Sequence, residues 1–283
     1  MRLGRLLSLK SETQGELEKY KDSFLTCEVE KEKLQQILRE GKDSHNRETL
    51  LVAATEETIS MAKEYGVAIL GYCKAIEQSP LEGKTRFLRG VEYVVEGFEE
   101  VEASFLEKIY QRHHRLPWII AETKRCMIRE LCMEDIDDLF TLYQDKELTK
   151  YVDPLKNYEE DKELQQAYID NMYHYFGYGM WLVFLKETGE LIGRAGLEHR
   201  EIETDTVHEL GYLIKKNYQR QGLAREVCLA IVKYAEEELG IEELNCFIKE
   251  GNIASVKLAE NLGFSYESTI VEQDRKLLRF IRK

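Results

Sequence analysis

The chain lacks an excess of positive charge. Its 283 residues include 53 Asp and Glu against 40 Lys and Arg, which gives a formal net charge of -13 at pH 7. Proteins that bind nucleic acid or anionic membranes do so through basic patches that neutralise phosphate groups. The composition therefore argues against both of these partners. The negative electrostatic field of such a chain favours cationic amines instead.

Long apolar runs and paired cysteines are missing as well. No stretch approaches the roughly 20 apolar residues of a membrane-spanning helix, and residues 1–5 have no apolar core or cleavage site of a secretory signal. The six cysteines are scattered, with no C-x-x-C pair. Two adjacent histidines, His113 and His114, cannot both face one metal from a helix. We expect a cytosolic protein with reduced thiols and no metal site.

The most informative segment that is present is a glycine turn at residues 219–224. It follows an apolar strand pattern, Leu210–Ile214, and leads into a helical pattern that begins at Val227. A turn that brings backbone N–H groups to a helix N-terminus forms an anion site. The turn has neither the three glycines of a dinucleotide fingerprint nor the Gly-Lys-Ser/Thr ending of a P-loop.

Other elements surround this turn in a regular order. An upstream hairpin is predicted from Trp181–Leu185 and Leu191–Leu197, followed by a strand at His208–Ile214. Downstream, a short strand at Leu244–Ile248 precedes a second helix, for which Asn252 is a candidate N-cap.

Three motifs follow one another in this region: Gln-x-x-Gly-x-Ala in the turn, Asn-x-x-Ser at the start of the second helix and Leu-Gly-Phe at its end. Together they resemble the acetyl-CoA site of the GCN5-related N-acetyltransferase (GNAT) family. The order of elements over 121–283 resembles the ribosomal-protein-type (Rim-like) members. The resemblance implies an α/β (α+β) fold with the GNAT mixed β-sheet and flanking helices. It implies acetyl-CoA as co-substrate, no metal, and these cofactor-binding residues: Tyr212, Leu213, Ile214, Gln219, Arg220, Gln221, Gly222, Leu223, Ala224, Asn252 and Ser255. The main chain near Tyr212–Ile214 would supply the oxyanion donor.

The resemblance also suggests catalytic residues. Glu209 stands where Rim-like relatives commonly carry Glu, so it is the candidate general base; the alternative is a strand carboxylate held in a salt bridge. Strand alternation points His208 to the opposite face. Many members use a tyrosine seven residues beyond the Asn as the acid, and this chain has Ala259 there. Ser255 or a water would have to substitute, unless no acid is needed.

The resemblance also implies an acceptor wall near the first hairpin. Aromatic residues precede and begin the hairpin, in a region where relatives build that wall. We assign Tyr178 and Trp181, together with Glu209, to substrate binding. The alternative is that these aromatic side chains belong to the core.

The first half of the chain is organised differently. We predict a helical segment over 1–45, a small Rossmann-like α/β domain over 46–115, a linker over 116–126 and the acetyltransferase domain over 127–283. The α/β domain has predicted parallel strands at Leu50–Ala54, Val67–Leu70 and Val91–Val95 and helices at Glu56–Tyr65 and Val101–His113.

This small domain resembles the C-terminal half of the haloacid-dehalogenase fold. That family places acidic metal ligands where this chain has Ala54 and Thr58, and no Asp-x-Asp motif lies upstream. Phosphoryl transfer needs carboxylates that hold Mg²⁺. We therefore expect no phosphatase activity.

The sequence thus favours an acetyl-CoA-dependent N-acetyltransferase that acts on a primary amine, either a small molecule or a peptide N-terminus. The alternative is a non-catalytic acyl-CoA-binding sensor. A homodimer is left open, and the acceptor amine is not identified.

Overall fold

The computed structural model describes residues 2–41, 45–73, 88–146, 148–152, 155, 157–202, 205–272 and 274–283. The chain divides into two compact units, Met1–Trp118 (unit 1) and Ile119–Lys283 (unit 2). Of the helices formed by the described residues, none combines the length and the apolar character that crossing a bilayer requires.

The strands of unit 1 are β1 (Arg5–Leu9), β2 (Leu25–Val29), β3 (Thr49–Ala53), β4 (Ala68–Tyr72) and β5 (Val94–Val95). Its helices are α1 (Lys10–Thr13), α2 (Lys31–Glu40), α3 (Glu56–Glu64) and α4 (Ala103–His113), with short 3-10 turns at Glu16–Tyr20 and His45–Glu48.

Unit 1 is a parallel sheet covered on both faces. Its described strands lie in the order β2-β1-β3-β4-β5, and every pair is parallel. Successive strand residues point to opposite faces. Leu6 accordingly packs in one cluster with Leu106 of α4, and Leu7 in another with Leu34 of α2 and Ala62 of α3. The predicted parallel α/β arrangement is confirmed.

Three predictions for this half are wrong. Residues 1–45 are not a helical segment, because Arg5–Leu9 and Leu25–Val29 form β1 and β2. Strand β1 has five residues that are nearly all buried, and the edge strand β2 has none that are fully buried, so neither shows the alternation that identifies a strand. The strand predicted at Val91–Val95 is reduced to Val94–Val95, and residues 116–126 are not merely a linker, since Ile119–Glu122 is a strand of the unit 2 sheet.

The carboxyl ends of β1 and β3 lie side by side where the strand order of unit 1 reverses. In parallel α/β sheets, ligands bind in the crevice at such a point. Here the Glu12 carboxylate accepts hydrogen bonds from the Ala54 backbone N–H (2.9 Å) and from the hydroxyls of Thr55 (2.9 Å) and Thr58 (2.7 Å). Both positions where the haloacid-dehalogenase resemblance would place metal ligands thus contact the chain's own carboxylate. The resemblance itself stays a prediction.

The strands of unit 2 are β6 (Ile119–Glu122), β7 (Cys126–Arg129), β8 (Met180–Leu185), β9 (Leu191–Ile202), β10 (Asp205–Ile214), β11 (Leu244–Lys249), β12 (Ser265–Glu272) and β13 (Arg275–Arg282). Its helices are α5 (Ile136–Tyr143), α6 (Tyr158–Tyr168), α7 (His174–Phe176), α8 (Leu223–Glu237) and α9 (Ile253–Asn261), with 3-10 turns at Met133–Asp135 and Lys216–Tyr218 and a π-helical turn at Ile169–Tyr173.

Unit 2 is built on a mixed sheet, as predicted. Its described strands lie in the order β12-β13-β11-β10-β9-β8-β7-β6, and β10 with β11 is the parallel pair among antiparallel neighbours. Helix α8 packs against β9 and β10. The predicted hairpin is confirmed as β8 and β9, which pair in antiparallel register. Gly193 of β9 permits a close approach, because a side chain there would collide with the Leu213 carbonyl oxygen.

Candidate active site

The central feature of unit 2 is the divergence of β10 from β11. Among the described residues, the two strands form one β-bridge, between Glu209 and Asn245, and no further bridge beyond it. From Gly211 to Ile214, β10 pairs with β9 on its other edge, while β11 pairs with β13. A cavity of about 550 Å³ opens where the two strands separate.

The walls of this cavity come from strands β8 to β13, from the end of α5 and the segment that follows it, and from α9 with its flanking residues. Its polar and charged lining residues are Tyr143, Tyr151, Arg194, Glu198, Arg200, Glu209, Tyr212, Lys249, Asn252, Ser255, Glu272 and Arg275. The structure thus brings together five of the proposed site residues around one cavity, Glu209, Tyr212, Leu213, Asn252 and Ser255. The turn at 219–224 is not part of the wall; it follows the end of β10.

That turn presents unpaired backbone donors at the start of α8. Gly222 is the N-cap, with a positive φ of 78° that a residue with a side chain adopts only under strain, and no side chain caps the helix. No described residue accepts a hydrogen bond from the backbone N–H of Gly222, Leu223 or Ala224. Free donors at a helix N-terminus bind phosphate groups.

Glutamine side chains hold the turn in this conformation. The Gln219 amide nitrogen donates to the Ile214 carbonyl oxygen at 2.8 Å, and the Gln221 amide nitrogen donates to that of Asn217 at 2.8 Å. The backbone of Arg220 is left-handed, with a φ of 58°. These contacts give both glutamines a structural role that the motif alone did not specify.

Arg125 is a residue of this region that the sequence did not reveal. It lies in the turn between β6 and β7 and donates to the Gln221 carbonyl oxygen (2.9 Å) and to the Glu226 carboxylate (2.8 Å). Its Nη2 would lie 3.6 Å from a Cβ atom on Gly222. A guanidinium therefore stands beside the unpaired donors of α8. Nothing in the local sequence indicates a contact across 96 positions.

Glu209 faces the cavity and is also held in an ion pair. Arg200 donates to the Glu209 carboxylate at 2.7 Å and to that of Glu272. Burial raises the pKa of Glu209 above its ordinary value, and the Arg200 guanidinium opposes that rise. Both sequence alternatives, cavity carboxylate and salt bridge, are therefore present at once.

His208 points to the other face of β10, as the alternation predicted. Its ring centroid lies 5.6 Å from that of Tyr178. Burial lowers the pKa of His208, and His199 lowers it further. His208 therefore cannot act together with Glu209.

Two hydroxyl groups meet near α9. The Asn252 side-chain oxygen accepts from the Ser255 backbone N–H at 3.2 Å, so Asn252 caps α9 and lines the cavity as well. The Tyr212 hydroxyl is buried and makes no formed hydrogen bond, although Ser255 lies near enough to interact with it. Burial raises the pKa of Tyr212, and Ser255 opposes the rise. These hydroxyls stand beside Ala259, which offers no proton.

The predicted acceptor wall does not form. Trp181 is fully buried, with its ring centroid 5.5 Å from that of Tyr234 on α8, so the prediction that it contacts substrate is wrong. Tyr178 lines a separate depression with Phe176 and His208. Strand alternation explains the outcome, because Met180 rather than Trp181 faces the cavity.

The second half of the chain is similar to a known family and to known proteins. Residues 125–265 match the family described as "Acetyltransferase (GNAT) domain". YkkB of Bacillus subtilis (strain 168) is 33% identical over 162 residues, which cover 55% of this chain and 92% of YkkB. The N-acetyltransferase YoaA of the same organism is 27% identical over 153 residues, which cover 53% of this chain and 85% of YoaA.

Solved structures share the fold of this region. A GnaT-family acetyltransferase from Bordetella pertussis has a TM-score of 0.51 at 22% identity and covers 58% of this chain and 98% of its own. The ribosomal-protein α-N-acetyltransferase RimL in complex with coenzyme A has a TM-score of 0.51 at 19% identity and covers 58% of this chain and 97% of its own. At these identities the likeness is one of fold.

Proposed function

We propose a direct transfer of the acetyl group to a primary amine in the cavity between β10 and β11. The chain belongs to the GNAT family of acetyltransferases and is an acetyl-CoA-dependent N-acetyltransferase. The observation that carries the proposal is the separation of these strands just beyond Glu209. It puts a carboxylate and two hydroxyls around one cavity, and the turn with the unpaired donors of α8 follows the end of β10.

The residues present suit coenzyme A as a co-substrate. The N–H groups of Gly222–Ala224, with Arg125 beside them, offer donors and positive charge to a pyrophosphate. Asn252 and Ser255 line the cavity at a position suited to the pantetheine arm. The bound thioester supplies an activated acetyl group.

The reaction forms one bond and breaks one. The amine nitrogen attacks the thioester carbonyl carbon, the new C–N bond forms and the C–S bond breaks, so that the products are an amide and free coenzyme A. The amine gives up one proton and the thiolate takes up one. An ammonium group with a pKa of about 10 has no lone pair, so a base must first deprotonate it.

We assign the base to Glu209, acting directly or through a water. The Arg200 guanidinium donates to this carboxylate and opposes the rise in its pKa that burial causes. For the departing thiolate, the Ser255 hydroxyl is the proton donor, with the Tyr212 hydroxyl beside it to replenish the proton. A thiol with a pKa of about 8.5 is a fair leaving group, so the demand on this donor is modest.

The alternative is an acyl-CoA-binding sensor without turnover. The α8 turn would serve a sensor equally well, whereas the buried carboxylate of Glu209 in the cavity favours catalysis. Release of free thiol from acetyl-CoA separates the two functions. We expect thiol release that depends on an added amine when pools of small amines and peptides are screened.

A substitution at Gly222 tests the coenzyme site. Gly222→Glu puts a negative charge and strain beside the free donors, and each effect costs on the order of 1 kcal/mol or more, so affinity should fall at least tenfold. Calorimetry with acetyl-CoA measures this. Gly189→Glu is the matched control, because Gly189 also has a positive φ, 71°, and lies in an open hairpin turn. Equal affinities in the two folded variants would refute the assignment.

A further inference from the structure

Arg194 is a charged cavity residue that the proposed chemistry does not use. It lies on β9, where its register partner on β10 is Leu213. The residue is only 7% exposed, yet it lines the cavity. A buried charge is costly unless it is paired, and an arginine does not lose its proton to avoid that cost.

The contacts of Arg194 include no carboxylate among the described residues. The Gln165 side-chain oxygen accepts from Nη2 at 3.3 Å, and the Tyr168 ring centroid lies 5.6 Å from the guanidinium carbon. The Tyr143 hydroxyl also interacts with it. These neighbours are neutral, and the Nε atom is buried with no hydrogen-bond partner. The counter-charge is therefore missing from this part of the protein.

The other end of the same surface is acidic. Glu198 lies on β9 four positions beyond Arg194, on the same face and roughly 13 Å away between Cα atoms, and it is the register partner of Glu209. Between the two ends, Gly196 pairs with Gly211, and the Met180 side chain packs over this glycine pair, with its Sδ 3.3 Å from where a Cβ atom on Gly211 would lie. One end of the cavity thus has Glu198 together with the Glu209 and Glu272 carboxylates that Arg200 pairs with, and the other end has Arg194.

The coenzyme does not account for this cation. The thioester and the pantetheine arm that enter the cleft are uncharged. The phosphate groups are assigned to the start of α8, where Arg125 is already present. An anion beside Arg194 must therefore come from the acceptor.

We propose that the acceptor is an amine whose molecule also carries a carboxylate, with Arg194 binding the carboxylate while the amine faces Glu198 and Glu209. The proposal rests on the acetyl transfer proposed above. The Nε–H and a neighbouring Nη–H of a guanidinium form the fork that accepts a carboxylate in two parallel hydrogen bonds. A peptide N-terminus far from any carboxylate would leave Arg194 uncompensated.

Matched pairs of acceptors test this. The probes are the ω-amino acids from glycine to 6-aminohexanoate, each compared with its carboxamide, at saturating acetyl-CoA. We expect kcat/KM from thiol release to favour the acid at least tenfold at the best chain length. In Arg194→Met, which keeps an unbranched side chain without the charge, the preference should fall to near one. Arg194→Lys should keep part of it.

Several results would overturn the proposal. One is equal kcat/KM for acid and amide at every length in the wild type; another is a preference that survives in Arg194→Met. A third is a tenfold rise in the KM for acetyl-CoA in Arg194→Met with the preference unchanged, which would assign the cation to the coenzyme.

Failure of the proposed function looks different, because no amine of either kind would then release thiol. In that case, calorimetry of the same pairs on the wild-type protein with coenzyme A still decides the role of Arg194. Equal affinities for acid and amide refute it. The wild-type comparison also stands alone if the Arg194→Met variant does not fold.

Discussion

Glu209 and Glu272 share one guanidinium, since Arg200 donates to both carboxylates. At the scale of single residues this arrangement sets the protonation of the proposed base. Burial alone would favour the neutral acid, which cannot accept a proton. The ion pair with Arg200 opposes this effect, and the pKa of Glu209 stays above its ordinary value. The carboxylate therefore accepts a proton more readily than an exposed one does.

Glu209→Gln should lower kcat/KM about 10²–10⁴-fold at neutral pH, because the loss of a general base costs this much. Affinity for acetyl-CoA should stay near that of the wild type. Because the pKa of Glu209 is raised, the wild-type activity should decline on acidification at a higher pH than it would with an ordinary carboxyl group. The Glu209→Gln variant should not show this acidic decline. Steady-state kinetics across pH measures both effects. Glu201→Gln, an exposed carboxylate on β9, is the control. Full activity in Glu209→Gln would mean that another group carries the proton.

Some site residues were predictable from the sequence and others were not. Glu209, Asn252 and Ser255 followed from motif position and strand alternation, which fix the face of a strand and the start of a helix. Alternation does not say which face is covered, and Trp181 is buried under α8 for that reason. The arginines at 125 and 194 belong to no motif; their positions depend on which strands pair.

At the scale of elements, the Glu12 side chain attaches α1 to the β3–α3 connection. The Glu12 carboxylate accepts from one backbone N–H and two threonine hydroxyls. Removing it leaves these donors, including that of the fully buried Thr58, short of a partner. The network adds to the direct pairing of β1 with β3.

Glu12→Ala should destabilise unit 1 by about 1–3 kcal/mol, the usual cost of leaving such groups unpaired. Thermal denaturation followed by circular dichroism should show the loss, and acetyl-CoA binding by unit 2 should persist. Glu18→Ala removes an exposed glutamate of the neighbouring 3-10 turn and serves as the control. Equal melting temperatures for the two variants would show that the Glu12 network contributes nothing to stability.

Long amphipathic elements and those with clear turn signals were predicted best. Helix α8 and the β8–β9 hairpin have strong periodicity and a glycine turn, so their existence and order followed from the sequence. Strands β1 and β2 have five residues each, and their neighbours are highly charged. The pairing of β1 with β2 and with β3 is a long-range interaction, which no local pattern reports.

At the scale of the whole molecule, each unit has its own sheet and its own apolar core. Unit 1 packs apolar clusters on both faces of its sheet, while the described coenzyme and cavity residues all lie in unit 2. A segment with a complete core can fold alone. The acetyltransferase domain predicted from the sequence begins at residue 127, eight positions after the start of unit 2 at Ile119. The difference arises because β6 is short and precedes the recognisable motifs.

Residues 119–283 expressed alone should melt cooperatively and bind acetyl-CoA as tightly as the full chain does. Residues 1–118 should melt cooperatively and bind none. Calorimetry and thermal denaturation on both fragments measure this, with the full chain as reference. Acetyl-CoA binding that requires residues 1–118 would show that the coenzyme site extends beyond unit 2.

The carboxylate of Glu12 has a consequence for how unit 1 responds to its surroundings. A ligand that binds only the folded form stabilises a protein in proportion to the logarithm of its free concentration. A crevice that is already filled by a covalently attached anion meets that anion at a fixed effective concentration, whatever the solution contains. The contacts at this edge of the sheet are therefore made within the chain, and their strength does not depend on the concentration of any free anion.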